Sequence, residues 1–319
     1  MSTLLVIGGT GFFGKSILDC FKRGMLEKWG IERVIAMSRN AESLCREAPQ
    51  LISSQVDLFS ADISTTRILP PADIVIYAAV STDTPISRSP FFTEQANIQS
   101  GTYNCCKLLN SVHAESKILY VSSGAVYGKQ PKGMTHIPEG YIVGDLLELP
   151  VAKQDYAGAK VSAEDAVKNL GQQGLSVSIA RCFAFVGPWL PRNHHFAIGN
   201  FIEDGLQKRP ITVKARNTVY RSYMHSDDLV EWLMTIALQA SPDCPVYNVG
   251  SDQAVIMGDL ARLIANKFGV NACIPEITDA DVDCYIPSIE KAKRDLKLIL
   301  SHDLISAISS TIQNIQTKK

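Results

Sequence analysis

Three features of the chain predict an α/β fold built on a doubly wound parallel sheet. Six short, nearly continuous apolar runs punctuate the first 183 residues: TLLVI (3–7), RVIAMS (33–38), VDLFSAD (56–62), DIVIYAA (73–79), KILYVSS (117–123) and SVSIARCF (176–183). Amphipathic, helix-period stretches separate them, and strands that are apolar on both sides belong to parallel sheets covered on both faces. A glycine-rich turn, GGTGFFG (8–14), stands between the first run and the first helical pattern, KSILDCFKRGM (15–25).

The chain has 319 residues, enough for one large α/β domain or a nucleotide-binding domain with a smaller companion. Its apolar share is 46%, its charged share 20% and its net charge −1, so it lacks the basic excess that nucleic-acid binding requires. The start MSTLLVIGG carries no basic region before its apolar run, and no window approaches the ~20 apolar residues of a membrane span. A cytoplasmic location is the expectation. Eight cysteines (20, 45, 105, 106, 182, 244, 273, 284) include no C-x-x-C pair, so they are expected to be reduced packing residues, without a zinc site or a disulfide framework.

Regularity fades after about Gly187, where GPWLPRNHHF (187–196) and KRPITVKARNTVYRSY (208–223) mix prolines, histidines, arginines and aromatics. The expected division is therefore 1–186, mainly a cofactor-binding part, and 187–319, mainly a substrate-facing part. Segments around 215–250 are expected to return to the first core. The end of the chain, 302–319, reads as a polar helix.

The glycines satisfy both G-x-x-G-x-x-G (Gly8, Gly11, Gly14) and G-x-G-x-x-G (Gly9, Gly11, Gly14). Placed between a strand and a helix, such a turn lets a pyrophosphate rest on helix N-terminal amides that side chains would otherwise hold away. At the end of the second run an acid would accept the ribose 2′-hydroxyl of NAD, but this chain has Ser38 and Arg39. A guanidinium offers a planar fork to a 2′-phosphate, so NADP(H) is the expected cofactor, with NAD(H) as the alternative. Asp62 and Ile63 end the third run, where the acid either bonds the adenine edge or caps a turn.

Acid–base chemistry is legible in YVSSGAVYG (120–128) and QDYAGAK (154–160). Tyr156 and Lys160 are four residues apart and share a helix face. A tyrosine of pKa about 10 is a poor acid near neutrality, and an adjacent ammonium lowers that value by favouring phenolate. Ser123, at the end of the fifth run, can hold the substrate oxygen while Tyr156 gives or takes its proton.

These motifs, with TEQANIQSGT (93–102), ARCFAFVGP (180–188), YRSYMHSDDL (220–229), VYNVGS (246–251) and YIPSIEKAKRDL (285–296), resemble the extended short-chain dehydrogenases/reductases of the nucleotide-sugar epimerase/dehydratase family. The resemblance implies a Rossmann domain and a catalytic set of Ser123, Tyr156 and Lys160, with Lys160 also on the nicotinamide ribose. It places Thr10, Phe12 and Phe13 in the cofactor-binding loop and Ala78, Ala79, Val80 and Asn97 along the cofactor groove. It sets Asn200 and Arg221 on the diphosphate of a sugar nucleotide, although Arg221 could instead pair with Asp227 or Asp228. His194 and His195 are candidate sugar or phosphate contacts, with solvated packing as the alternative. A homodimer through helices around 93–111 and 153–170 is also implied.

Departures from the family pattern bear on the reaction. Gly124 and Ala125 stand where the 4,6-dehydratases carry an acid, and neither can move protons. Cys182 and Ala184 replace a tyrosine and an asparagine found in 4-epimerases. The expectation is an NADPH-dependent 4-ketoreductase of a nucleotide-activated 4-keto-6-deoxyhexose. A nucleotide-sugar 4-epimerase and a non-catalytic NADP(H) sensor are the rivals.

Overall fold

The structure is a computed structural model that describes residues 2–79 and 92–317. The chain divides into two compact units: Met1–Gly128, Ile142–Cys182 and Val230–Tyr247 form the first, and Lys129–Tyr141, Phe183–Leu229 and Asn248–Lys319 the second. The expected boundary at 186/187 thus falls at Cys182/Phe183. Val230–Tyr247 groups with the first unit, while Phe183–Leu229 and Asn248–Lys319 group with the second. Residues 129–141, expected in the first part, group with the second unit, where Ile137 bridges to Pro287 and exchanges backbone hydrogen bonds with Ile286 and Ser288.

In the first unit the elements run β1 (Ser2–Ile7), α1 (Phe12–Lys22), β2 (Ile31–Ser38), a single helical turn α2 (Leu44–Glu47), β3 (Val56–Ser60), β4 (Ile74–Tyr77), α3 (Phe92–Val112), β5 (Lys117–Ser123), α4 (Val151–Gln172) and β6 (Val177–Cys182). The sheet order is Val246–Val249, β6, β5, β4, β1, β2, β3, and the pairings among β1 to β6 are all parallel. The order reverses between β1 and β4. A crevice opens beyond the carboxyl ends of strands at such a switch point, and ligands bind there in open α/β sheets.

The strands are apolar because both faces are covered. Leu5 and Ile7 of β1 join a core with Val75, Tyr77, Ile118, Tyr120, Val177 and Ile179, while Leu4 and Val6, which point the opposite way, are equally buried. Cys105, Leu108 and Leu109 of α3 and Ala163, Val167 and Leu170 of α4 close the first of these faces. Helix α4 begins after Pro150 and gives way at Gln173 and Gly174, whose φ of +98° suits glycine.

The second unit holds small sheets. Thr218–Arg221 pairs with Val255–Ile256 antiparallel and with Val282–Tyr285 parallel, and Met224–His225 pairs with Phe185–Val186. Its last helix, Leu304–Thr317, is more amphipathic than its polar composition suggested: Ala307, Ile308, Thr311 and Ile315 form one buried stripe. No helix among the described residues is long and apolar enough to cross a membrane.

Candidate active site

At the switch point the glycine turn is shaped by the chain's own backbone. Gly8 has φ +105°, and a Cβ there would lie 2.8 Å from the Ala78 carbonyl carbon and oxygen and 2.9 Å from the Ala79 nitrogen. A Cβ on Gly9 would meet that of Ala36 at 2.8 Å, and one on Gly14 would come within 2.4 Å of the Gly9 oxygen. Gly8, Gly9 and Gly14 are therefore demanded by packing. Gly11 differs: its nearest contact for a Cβ is the Gly8 oxygen at 3.4 Å, and it is exposed at the N-cap of α1. No side-chain cap bond among the described residues closes that helix end, and its first turn carries no acid, so the N-terminus suits an anion. Thr10 is half-buried in the turn, and Phe12 and Phe13 meet edge to face at 5.5 Å.

Ser38 ends β2 with its Oγ buried and without a hydrogen-bond partner among the described residues, so its hydroxyl fits a ligand oxygen as partner. Arg39 is exposed beside it. Asp62 caps a turn, the second of its two expected roles: its Oδ1 accepts from the Ser64 amide and hydroxyl at 2.9 and 2.7 Å. Partial burial favours its neutral form, but the two Ser64 bonds and the nearby Arg39 charge outweigh this and hold the carboxyl below its usual value. The Ile63 carbonyl accepts from Asn104 of α3 at 2.9 Å. Ala78 and Ala79 are half-buried at the end of β4, and Asn97 is exposed on α3. Val80 lies outside the described residues. The closed glycine cradle, the exposed Gly11 and the orphaned Ser38 hydroxyl fit a dinucleotide.

Ser123 is the last residue of β5, half-buried, and its Oγ accepts the Ala125 amide at 3.2 Å as the chain enters a 3₁₀ turn over Gly124–Tyr127. Tyr156 and Lys160 project from α4. Tyr156 is half-buried and Lys160 fully buried, with Nζ donating to the Val121 carbonyl at 2.9 Å and to the Tyr120 hydroxyl at 3.2 Å. Burial, reinforced by Tyr77 and Tyr156, pushes the Tyr120 phenol well above its usual pKa, so it stays neutral and accepts from the ammonium.

One turn beyond Lys160, Glu164 is fully buried and forms a fork with Arg181 of β6 at 3.0 and 2.7 Å. The same carboxylate accepts the Ser122 hydroxyl at 2.6 Å, and Arg181 Nη1 donates to the Tyr127 hydroxyl at 2.9 Å. Although burial opposes its charge, Glu164 and then Tyr127 raise the Arg181 pKa. Tyr120, Glu164 and Tyr127 lie outside the set of site residues that the sequence motifs predict. A signal existed for Glu164, which continues the Tyr156–Lys160 face at the next i+4 position. Cys182 sits opposite Ser123 in the β5–β6 register, its thiol pushed up by burial against the opposing pull of Lys160.

The sugar-nucleotide candidates belong to the second unit. Arg221 is not paired with Asp227 or Asp228. Its guanidinium instead bonds Asp283 Oδ2 at 2.6 Å and the Tyr220 and Asp283 carbonyls at 2.8 and 3.1 Å. Asp228 accepts the Ser301 and His302 amides, while the Asp227 amide donates to His225. Asn200 donates to the His194 carbonyl at 2.7 Å and accepts the Asn193 amide at 2.9 Å, so its amide shapes the loop bearing His194 and His195. His195 is exposed and lies against Phe196 with ring centroids 4.1 Å apart. No group of His, Cys, Asp and Glu among the described residues could hold a metal ion.

Among curated proteins, the chain is 26% identical over 302 residues to UDP-glucuronic acid decarboxylase 1 of Arabidopsis thaliana, covering 92% of this chain and 65% of that protein. It is 29% identical over 202 residues to GDP-6-deoxy-D-mannose reductase of Pseudomonas aeruginosa, covering 61% of this chain and 62% of the relative. The chain thus spans a little under two thirds of the length of these relatives. The solved UDP-glucose 4-epimerase of Thermotoga maritima, determined with UDP-glucose, superposes with a TM-score of 0.80 at 20% identity over 99% of both chains, which shows a shared fold. The sequence profile of one family matches residues 4–250, from the first strand through the last strand of the sheet, and by that match the chain belongs to the NAD dependent epimerase/dehydratase family.

Proposed function

We propose that the protein is an NADPH-dependent 4-ketoreductase acting on a nucleotide-activated 4-keto-6-deoxyhexose. The observation that carries this reading is the uncharged Gly124–Tyr127 turn after Ser123, which offers no carboxylate for proton transfer at a neighbouring carbon but leaves Ser123 and Tyr156 able to serve one carbonyl. Ser38 and Arg39 support the phosphorylated cofactor, which a consumer of reducing equivalents uses. When bound, the reduced nicotinamide supplies a hydride to C4. Ser123 accepts the Ala125 amide on its oxygen, leaving its own proton to polarise the C4 oxygen. Tyr156 donates the proton that completes the alcohol, and the Lys160 ammonium favours the phenolate left behind.

A nucleotide-sugar 4-epimerase is the second reading, favoured by the family's NAD dependence and by the shared fold of the Thermotoga maritima enzyme. It uses the same three residues and returns the hydride. The deciding experiment incubates the purified protein and NADPH with CDP-, dTDP-, UDP- and GDP-4-keto-6-deoxy sugars, and separately supplies UDP-glucose and UDP-glucuronate with NAD(P)⁺. Stoichiometric loss of NADPH absorbance with a 4-keto sugar is expected. C4 epimerisation of UDP-glucose without net cofactor consumption, or carbon dioxide released from UDP-glucuronate, overturns the reductase reading. We further propose a homodimer through α3 and α4. The three-quarters exposed Tyr103 on α3 supports it, and a monomeric mass by light scattering would refute it.

A further inference from the structure

Ser123 is flanked by two residues tied to one ion pair. Ser122, immediately before it, gives its hydroxyl proton to Glu164 Oε1 at 2.6 Å, and Tyr127, the last residue of the turn after it, receives Arg181 Nη1 at 2.9 Å. Glu164 and Arg181 are joined by two bonds, at 3.0 and 2.7 Å, and all four side chains are buried. Lys168 adds its charge at 3.7 Å from the same carboxylate. The carboxylate belongs to α4, one turn beyond Lys160 and two beyond Tyr156. The helix carrying the proton donor is therefore bonded to the strand and the turn that carry Ser123.

A buried ion pair is weak ground for a purely stabilising role, because desolvation offsets most of its attraction and apolar replacements are often as stable. Its two arms, however, end on Ser122, the residue before Ser123, and on Tyr127, the last residue of the turn that Ser123 caps. With Lys160 bonded to the Tyr120 hydroxyl and the Val121 carbonyl, α4 holds three consecutive residues of β5 directly, Tyr120, Val121 and Ser122, and the following turn through Arg181.

We propose that the Glu164–Arg181 pair is a positioning element that sets the Ser123 hydroxyl relative to Tyr156 through the Ser122 and Tyr127 hydroxyls. This rests on the assignment of Ser123 and Tyr156 as reacting residues, which the reductase and epimerase readings share, and on neither reaction in particular.

Ser122→Ala and Tyr127→Phe each remove one arm without leaving a buried charge alone. Each should lower kcat about tenfold, as small misplacements of reacting groups do, while KM and the cofactor Kd stay within about twofold. Added to Ser123→Ala, either change should cost less than about twofold more, because the residue it positions is gone. An unchanged kcat in both single variants, or the same full loss in the Ser123→Ala background, overturns the proposal. The kinetics use whichever sugar nucleotide of the panel the wild-type protein converts. Hydrogen exchange at the Ala125 amide, which bonds Ser123 Oγ, needs no substrate. It should quicken in Tyr127→Phe with no change in the amides of β1, and an unaltered Ala125 rate overturns the proposal even if the panel yields no turnover.

Discussion

Lys160 donates to the carbonyl oxygen of Val121 at 2.9 Å, so the ammonium of the residue one helical turn after Tyr156 is anchored on the strand that ends in Ser123. The bond has a second consequence, because a lysine buried this deeply needs acceptors to keep its charge, and Val121 and Tyr120 supply them. Under the proposed mechanism, Tyr156→Phe removes the proton donor and little contact area. We expect it to lower kcat by about 10²–10⁴ with nearly unchanged cofactor affinity. Lys160→Ala should reduce rate, cofactor affinity and thermal stability together, since it also opens a buried space. Single-turnover kinetics, fluorescence titration and thermal melts separate these effects, and a Phe variant that keeps more than about a tenth of the activity would show that Tyr156 is not the acid.

The four glycines of the turn should fail in two different ways. Gly14→Ala drives a Cβ to 2.4 Å from the Gly9 oxygen, a backbone contact that cannot relax at the end of a flexible side chain. Overpacking of this kind costs about 1–3 kcal/mol or more, so the melting temperature should fall with or without cofactor. Gly11→Ala meets nothing closer than 3.4 Å. It should melt like the wild type and lose cofactor affinity, because the added methyl stands at the open helix N-terminus. Melts with and without NADPH check both, and a Gly11→Ala protein with wild-type affinity would remove that glycine from the cofactor site.

Local pattern made the first unit readable. The six apolar runs become β1 to β6, and Tyr156 and Lys160 share a helix as their spacing requires. What periodicity could not supply were partners distant in sequence. Arg221 finds Asp283 62 residues away instead of the acids six and seven positions on, because the Thr218–Arg221 and Val282–Tyr285 strands pair in parallel. Glu164 and Arg181 meet only once α4 has folded back over β5 and β6. Residues 129–141 carry no pattern that announces their membership of the second unit, and the bonds from Asn200 to Asn193 and His194 join loop residues that no periodicity relates.

The Arg221–Asp283 pair gives a prediction about affinity for the substrate. Asp283 and two backbone carbonyls hold the guanidinium in one orientation, which lowers the ordering cost of binding a diphosphate. If Arg221 reads the diphosphate, Arg221→Ala should raise KM for the sugar nucleotide roughly ten- to hundredfold through loss of a charge-assisted contact of about 1.5–3 kcal/mol, leaving the cofactor Kd alone. Asp283→Asn, which keeps the shape but removes the charge, should have a smaller effect. An unchanged KM in Arg221→Ala would reduce the arginine to a structural link between two strands.

On the proposed reading, Arg39 discriminates between the two cofactors. It is exposed at the end of β2, beside the orphaned Ser38 hydroxyl and near enough to Asp62 for its charge to help hold that carboxyl ionised. A 2′-phosphate would offer the guanidinium a stronger partner than Asp62, whose Oδ1 is already engaged by Ser64. The 2′-hydroxyl of NADH offers no such charge. Arg39→Ala should therefore weaken NADPH by about 1.5–3 kcal/mol, or roughly ten- to hundredfold, and change NADH little. Raised salt should narrow the wild-type preference in the same direction, because the contact is exposed to solvent. Fluorescence titration of wild type and variant with both cofactors measures the shift. Equal weakening of NADPH and NADH would mean that Arg39 supports the strand end without reading the phosphate, and would return the chain to NAD(H) chemistry with Ser123, Tyr156 and Lys160 in the same roles.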